Sequence, residues 1–122
     1  MVYLRKFNEN IDLTYELDLL SNNYLAYLLD DNKFWIDVYR SNNNYEICLG
    51  HYNFFKWEDI EDYFIPFLTI LNDKYELGII TIEASSDLML TYKQILEDKH
   101  KHTLTNIKAI CAIEIQIKSP LN

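Results

Sequence analysis

Residues 53–72 restrict the possible fold more than any other stretch, because their apolar residues recur at the spacing of a helix buried on one face. The stretch reads NFFKWEDIEDYFIPFLTILN and combines six aromatic residues with four acids. In a helix, apolar side chains three and four residues apart share a face, and the acids fall mostly on the opposite one. We therefore predict a central core helix over residues 55–73, with a buried face made of Trp57, Ile60, Phe64, Phe67, Leu68 and Leu71.

Pro66 lies inside this predicted helix. Proline removes a backbone donor and crowds the preceding turn, so we expect either a kink at Pro66 or a break with a second helix beginning there. The acids precede this point, near the helix N-terminus, where the helix dipole favours negative charge. They form an outer face that is either a binding surface or simply solvated, and it consists of Glu58, Asp59, Glu61 and Asp62.

The residues before the helix read as short strands separated by Asn-rich turns. Strict alternation over residues 11–19 predicts a half-buried strand with an acidic row of Asp12, Glu16 and Asp18 on its outer side. Residues 33–40 and 45–50 also alternate and predict a hairpin, closed by a loop over 41–44. With a further strand near 2–7, we expect an N-terminal meander of four or five strands. Residues 22–30 fit either a strand or a short helix.

Three more elements are predicted after the helix. The β-branched run 77–84 reads as a central strand covered on both faces. Residues 86–98 show an amphipathic stripe and follow N-cap candidates, so they predict a second helix. Residues 107–118 alternate as a long strand in which a bulge or bend is expected. The order predicts an α+β fold, with two helices packed on one face of an antiparallel or mixed sheet, in a single domain over 1–122.

The charge of the chain limits the classes of partner. The formal net charge is −8 and the pI is about 4.7, which argues against direct binding of nucleic acid or of an anionic membrane surface. The same charge favours a basic protein partner, whose approach would be steered electrostatically. Because no run approaches the roughly 18 apolar residues of a membrane span and no apolar leader begins the chain, we expect a cytoplasmic protein.

The residues that could carry chemistry are not grouped as chemistry requires. Cys48 and Cys111 lie far apart in apolar runs, which predicts buried free thiols. His100 and His102 are flanked by lysines that repel a cation, and His51 has no accompanying nucleophile motif. We therefore predict no catalytic residue, no metal ligand and no cofactor, and expect that the protein is not an enzyme.

The remaining candidate is a surface that combines acids with aromatics. Trp35 and Tyr39 fall on the side of their strand opposite Phe34, Ile36 and Val38, where they are either exposed or buried beneath the helices. Aromatic residues surrounded by charge are typical of interface hot spots. The predicted partner-binding residues are Asp12, Glu16, Asp18, Trp35, Tyr39, Glu58, Asp59, Glu61 and Asp62.

These observations lead to one leading hypothesis and two alternatives. The leading hypothesis is a bacterial or phage immunity protein, an inhibitor that occludes the active site of a basic toxin such as a nuclease. The first alternative is a phage-encoded acidic mimic of nucleic acid that inhibits a defence enzyme. The second is a small enzyme or ligand-binding domain with a pocket near His51 and Tyr52. An exposed edge strand, such as the long C-terminal one, would also allow a homodimer.

Overall fold

The computed structural model describes residues 12–120, and it confirms an α+β fold. The elements, in chain order, are α1 (Thr14–Tyr24), α2 (Ala26–Leu29), β1 (Phe34–Ser41), β2 (Asn44–Phe55), α3 (Trp57–Lys74), β3 (Tyr75–Glu83), β4 (Leu88–Leu90), α4 (Tyr92–Ile95), α5 (Asp98–Thr105) and β5 (Ile110–Pro120). The five strands form one sheet in the order β1-β2-β5-β3-β4, and every neighbouring pair is antiparallel. The strand expected near 2–7 lies outside the described residues.

The core lies on one face of the sheet. Alternate residues of β2, β3 and β5 are buried there, including Ile47, Ile80 and Ile113, and they pack with side chains from all five described helices. Burying this much branched apolar surface is the main force that holds the two layers together. The other face, which we call the open face, carries the intervening residues Trp35, Asp37, Tyr39, Glu46, Cys48, Thr81, Glu83, Glu114 and Gln116.

The predicted core helix is confirmed. Its six predicted core residues are the buried residues of α3. The helix begins after Lys56, whose backbone N–H donates to Oδ2 of Asp59 at 2.9 Å and so satisfies one of the free donors at the helix start. It continues through Pro66, so the predicted break with a second helix starting there is wrong.

The predicted strand over 11–19 is wrong, because most of that stretch belongs to helix α1. Oδ1 of Asp12 accepts hydrogen bonds from the backbone N–H and the hydroxyl of Thr14, at 2.9 and 2.6 Å, which holds the chain in a turn at the helix start. The alternating leucines also contain a helical spacing, since Leu13 and Leu17 are four residues apart and both pack on the core. Tyr15, which the alternation would place on the core side of the predicted strand, is 77% exposed.

The N-terminal meander is also wrong within the described residues, where two strands precede α3. Residues 22–30 take the helical alternative, as the end of α1 and the short α2. The hairpin is confirmed, with β1 and β2 paired from Phe34↔His51 to Ser41↔Asn44. Its loop is tighter than predicted, because Asn42 adopts the left-handed conformation with φ of 57°.

The single helix predicted over 86–98 is wrong. Residues 88–90 form the edge strand β4, which pairs with Ile80–Ile82 of β3. Thr91 then starts α4, because its hydroxyl accepts from the backbone of Gln94 at 3.2 Å while the Gln94 side chain accepts from the backbone of Thr91 at 2.9 Å. The helix α5 follows after Glu97.

The positions of β3 and β5 in the sheet differ from the prediction. β5, not β3, lies at the centre of the sheet, and β3 is half-buried on its outer side rather than covered on both faces. The irregularity predicted in β5 is confirmed, since its pairing with β3 shifts register between Glu76↔Ser119 and Leu77↔Ile117. Because β5 is paired on both sides, it has no free edge through which the expected homodimer could form. The edge strands of the described sheet are β1 and β4.

Candidate functional site

A cavity of about 320 Å³ opens between helices α2 and α3, the start of β1 and the end of β2, on the helical side of the sheet. The end of α2, the end of β2 and the start of α3 meet here, and together they bring aromatic and charged side chains to one place. We call it the aromatic cavity, and define it by Tyr27, Asp31, His51, Phe54, Asp59 and Tyr63.

Two tyrosines stack at the rim of the aromatic cavity. The rings of Tyr27 and Tyr63 lie with their centroids 4.8 Å apart and their planes at 13°. The large side chain of Tyr27 is 70% exposed. Partial burial, then Tyr27, then the charge of Asp62 raise the pKa of the Tyr63 hydroxyl, which therefore stays a neutral hydrogen-bonding group.

His51 forms part of the cavity wall. Its Nδ1 accepts a hydrogen bond from the backbone N–H of Asn53 at 2.9 Å, which fixes the ring plane. The edge-on ring of Phe34 lies 4.6 Å away between centroids, and Phe55 lies at 5.9 Å. His51 is half-buried within β2, and the imidazole is held by backbone and aromatic contacts.

Two carboxylates border the cavity and retain binding capacity. Oδ2 of Asp59 accepts from the backbone of Lys56, and Oδ1 of Asp31 accepts from the backbone of Lys33, each at 2.9 Å. A carboxylate has two oxygens and about four acceptor sites, so each of these exposed groups has capacity for an incoming donor. Lys33 also lines the cavity, so its aromatic surface is combined with two carboxylates and one ammonium group. The excess of negative charge suits a cationic side chain.

Exposed aromatic surface extends beyond the cavity along the end of β2. Phe54 is 61% exposed and Tyr52 is 76% exposed. Phe54 also borders a second, larger hollow of about 710 Å³, which reaches Ile107 and Cys111 at the start of β5. Large apolar side chains grouped on a surface mark interaction sites more often than singly exposed ones do.

The acids predicted on the strand over residues 11–19 lie instead just before and along helix α1. Asp12 holds the helix start, and its bonds to the hydroxyl and then the backbone of Thr14 lower the pKa of its carboxyl group. Glu16 accepts from the hydroxyl of the buried Tyr75. Asp18 accepts from the side chain of Asn22 at 3.3 Å. These carboxylates therefore take part in contacts within the chain and do not form one acidic row.

The acids predicted on α3 have three different environments. Asp59 borders the aromatic cavity, and Glu61 lies 3.7 Å from the ammonium group of Lys101 on α5. Glu58 and Asp62 are exposed. The structure thus brings one of these four acids together with an aromatic group, although its partners are Tyr27 and Tyr63 rather than the predicted Trp35 and Tyr39.

Trp35 and Tyr39 lie on the open face, on the other side of the sheet from the helices, and are half-buried there. Trp35 lies against Gly50 on the paired strand. A hydrogen bond to Glu46, followed by burial, raises the pKa of the Tyr39 hydroxyl. The two aromatics are therefore separated by the sheet from the acids on α1 and α3 with which they were predicted to form one patch.

Three groups missed by the sequence analysis meet at the centre of the open face. The thiol of Cys48 and carboxylate oxygens of Glu83 and Glu114 lie within 4.8 Å of one another. Burial, then Glu114 and Glu83, raise the pKa of the Cys48 thiol to about 12. Burial, then Glu83 and Glu46, raise the pKa of Glu114. Strand parity could have placed Cys48 and Glu114 on this face, but only the strand order makes them neighbours.

Comparison of the chain with family models, with curated proteins and with solved structures returned no match. Among residues 12–120, no helix has both the length and the apolar character needed to cross a membrane.

Proposed function

We propose that this protein acts by binding a basic protein partner through the aromatic cavity, as a cytoplasmic inhibitor of the immunity-protein type from a bacterium or phage. The single observation that carries the proposal is the stacking of the largely exposed Tyr27 on the half-buried Tyr63, beside the carboxylates of Asp31 and Asp59. Energetically dominant interface residues are commonly tyrosines in such settings.

The chemistry of the cavity suits a lysine or arginine side chain of the partner. Its alkyl part would contact Phe54 and the tyrosine rings, and its charge would meet the faces of those rings and the Asp59 carboxylate. A cation over an aromatic ring gains roughly 0.5–1 kcal/mol when exposed and about 2 kcal/mol when water is excluded. Several such contacts give the affinity that a stable inhibitor needs.

The net charge supports a partner with a basic active site. A formal charge of −8 accelerates association with a positively charged surface, and the effect weakens as salt is added. Toxins that cleave nucleic acid need positive charge near the scissile phosphate. An acidic protein seated over that surface would exclude the substrate without any chemistry of its own.

The division of the acids between two faces favours this proposal over mimicry of nucleic acid. A mimic needs carboxylates spaced like phosphates along one extended surface. Here Glu83 and Glu114 lie on the open face, while Glu58, Asp59 and Asp62 lie on helix α3 across the sheet.

A second candidate function, small-ligand binding, is favoured by the same cavity and its position beside His51. Its volume of about 320 Å³ is near the lower end of the roughly 300–1,000 Å³ typical of ligand pockets. Fragment binding detected by NMR shifts around His51, with no protein partner found, would favour this candidate.

The test uses the product of the gene adjacent to the one that encodes this protein. The two proteins are expressed together, and complex formation is measured by size-exclusion chromatography while relief of toxicity is measured by growth. We expect Tyr27→Ala to weaken the complex by at least about 2 kcal/mol. Tyr15→Ala is the matched control, because Tyr15 on helix α1 is exposed to a similar extent, 77% against 70% for Tyr27. Equal binding by both variants, or a neighbouring product that is neither toxic nor bound, would overturn the proposal.

A further inference from the structure

Three neighbouring strands bring metal-ligating groups together at the centre of the open face. Cys48 of β2 is paired directly with Glu114 of β5, and Glu114 is paired with Thr81 of β3, two residues before Glu83. The thiol sulfur and one carboxylate oxygen from each glutamate lie within 4.8 Å of one another. Ligand atoms around a tetrahedral ion stand somewhat closer than this, and a small side-chain rotation covers the difference.

A second observation concerns the thiol itself. Cys48 is 7% exposed, so more than nine-tenths of it is buried, and its sulfur faces the two carboxylates. Its thiol forms no hydrogen bond with another residue of the described range 12–120. The other cysteine differs, since Sγ of Cys111 donates to the backbone oxygen of Glu83 at 3.2 Å. A buried polar group without a partner calls for an explanation, and an ion that it binds is one.

We propose that Cys48, Glu83 and Glu114 bind a zinc ion on the open face of the sheet. A thiolate with two carboxylates suits a borderline-soft divalent metal better than calcium or magnesium, which take oxygen ligands alone. Three protein ligands leave at least one position for water or another group. The strands hold the ligands in place, because backbone pairing on both sides fixes the positions of Cys48 and Glu114.

On binding, the zinc ion takes the place of the thiol proton of Cys48. Zinc binds the thiolate, and the thiol proton passes to solvent. Burial, followed by the charge of the neighbouring carboxylates, raises the pKa values of Cys48 and Glu114, so Cys48 is a neutral thiol when no cation is bound. The carboxylates of Glu83 and Glu114 repel each other in that state. A divalent cation would replace that repulsion by attraction.

This site is separate from the proposed partner-binding surface. The aromatic cavity lies on the helical side of the sheet and shares no residue with the cluster on the open face. Loss of the metal therefore leaves the aromatic cavity intact. A failure of partner binding would not count against the metal site.

The experiment is a titration of the reduced full-length protein with Co²⁺, followed by displacement with Zn²⁺. We expect one equivalent of Co²⁺ to produce the near-ultraviolet absorption of a thiolate–cobalt bond, which Cys48→Ser abolishes. Glu114→Gln should weaken binding by at least about tenfold, since even residues behind the ligands contribute that much. Circular dichroism establishes that each variant is folded.

Two control variants distinguish this site from others on the chain. Cys111→Ser removes the exposed thiol, and the double variant His100→Ala/His102→Ala removes the histidine pair on α5. Both should bind Co²⁺ like the wild type. Absence of thiolate absorption, persistence of that absorption in Cys48→Ser, or its loss in Cys111→Ser would overturn the proposal. If Cys48→Ser does not fold, unchanged affinity in Glu83→Gln/Glu114→Gln overturns it in the same way.

Discussion

The indole ring of Trp35 occupies the space that a side chain at Gly50 would need. A Cβ atom built on Gly50 would lie 2.1 Å from Cζ2 of Trp35, on the strand paired directly with it. Contacts this short do not occur between real atoms, so either the ring or the backbone must move. The absence of a side chain at Gly50 is what allows Trp35 to lie flat on the open face.

Gly50→Ala should therefore destabilise the protein by about 1–3 kcal/mol, the usual range for overpacking. The measurement is urea unfolding followed by far-ultraviolet circular dichroism, with tryptophan fluorescence reporting the displaced ring. Gly78→Ala is the matched control, because its Cβ would meet the end of the flexible Gln116 side chain at 2.0 Å. Gln116 can swing away, so the control should lose less stability, and equal losses would contradict the explanation.

Tyr75→Phe should cost about 1–3 kcal/mol, because it removes a donor that contacts a partly buried carboxylate. The hydroxyl of Tyr75, which is 1% exposed, donates to Glu16 and links the start of β3 to helix α1. Chemical denaturation measures the change. Tyr15→Phe provides the comparison, since Tyr15 is exposed and should lose its hydroxyl without measurable effect. If the two variants were equally stable, the Tyr75–Glu16 contact would contribute nothing.

The two cysteines should differ strongly in reactivity. Cys111 is exposed, whereas Cys48 is buried with its pKa raised to about 12, so at about pH 8 only on the order of one Cys48 in ten thousand is a thiolate. A disulfide reagent applied to the native, metal-free protein should modify Cys111 quickly and Cys48 only on unfolding. The fast phase should disappear in Cys111→Ser and persist in Cys48→Ser. The reverse assignment would contradict the burial of Cys48.

Glu114→Gln should stabilise the metal-free protein at about pH 7, by on the order of 0.5 kcal/mol. The raised pKa of Glu114 means that the folded state disfavours its charged form. Below the unfolded value of about 4.3 the carboxyl group is protonated in both states, so wild type and variant should be equally stable. The advantage of the variant should appear as the pH rises through the raised folded pKa.

Unfolding curves recorded across this pH range measure the difference. Glu58→Gln on helix α3 is the matched control, because Glu58 is exposed and lies away from the acids of the open face. A Glu114→Gln variant that was less stable than wild type at neutral pH would show that its carboxylate makes favourable contacts instead.

Patterns that repeat over a long stretch predicted structure well. The helix α3 carries its apolar stripe over five turns, and the hairpin of β1 and β2 alternates on both arms, so in both elements the period identifies the side that faces the core. Residues 11–19 failed because the same leucines satisfy both a period of two and a spacing of four. In this stretch the hydrogen bonds from Thr14 to Asp12 favour the start of a helix over the strand that the alternation predicts.

The sequence predicted the kind of site, but not all of the residues that form it. The expected combination of acids with aromatics exists, yet Asp59 is joined by Tyr27, which lies on a helix that the sequence left undecided. Trp35 and Tyr39 were placed correctly on the side of their strand away from the core, but the helices that carry the other predicted acids pack on the opposite face of the sheet.

By itself, the sequence determined the α+β class, the core face of α3, the hairpin and the acidic charge, because each depends on the spacing or sum of nearby residues. Tertiary structure alone decided that β5 lies at the centre of the sheet, that Cys48 meets Glu83 and Glu114, and that Tyr27 stacks on Tyr63. The physical reason is that these contacts join residues far apart in the chain: 36 positions separate Tyr27 from Tyr63, and 35 and 66 positions separate Cys48 from Glu83 and from Glu114. Which distant segments meet is set by how the whole apolar surface is buried together, and no local pattern records it.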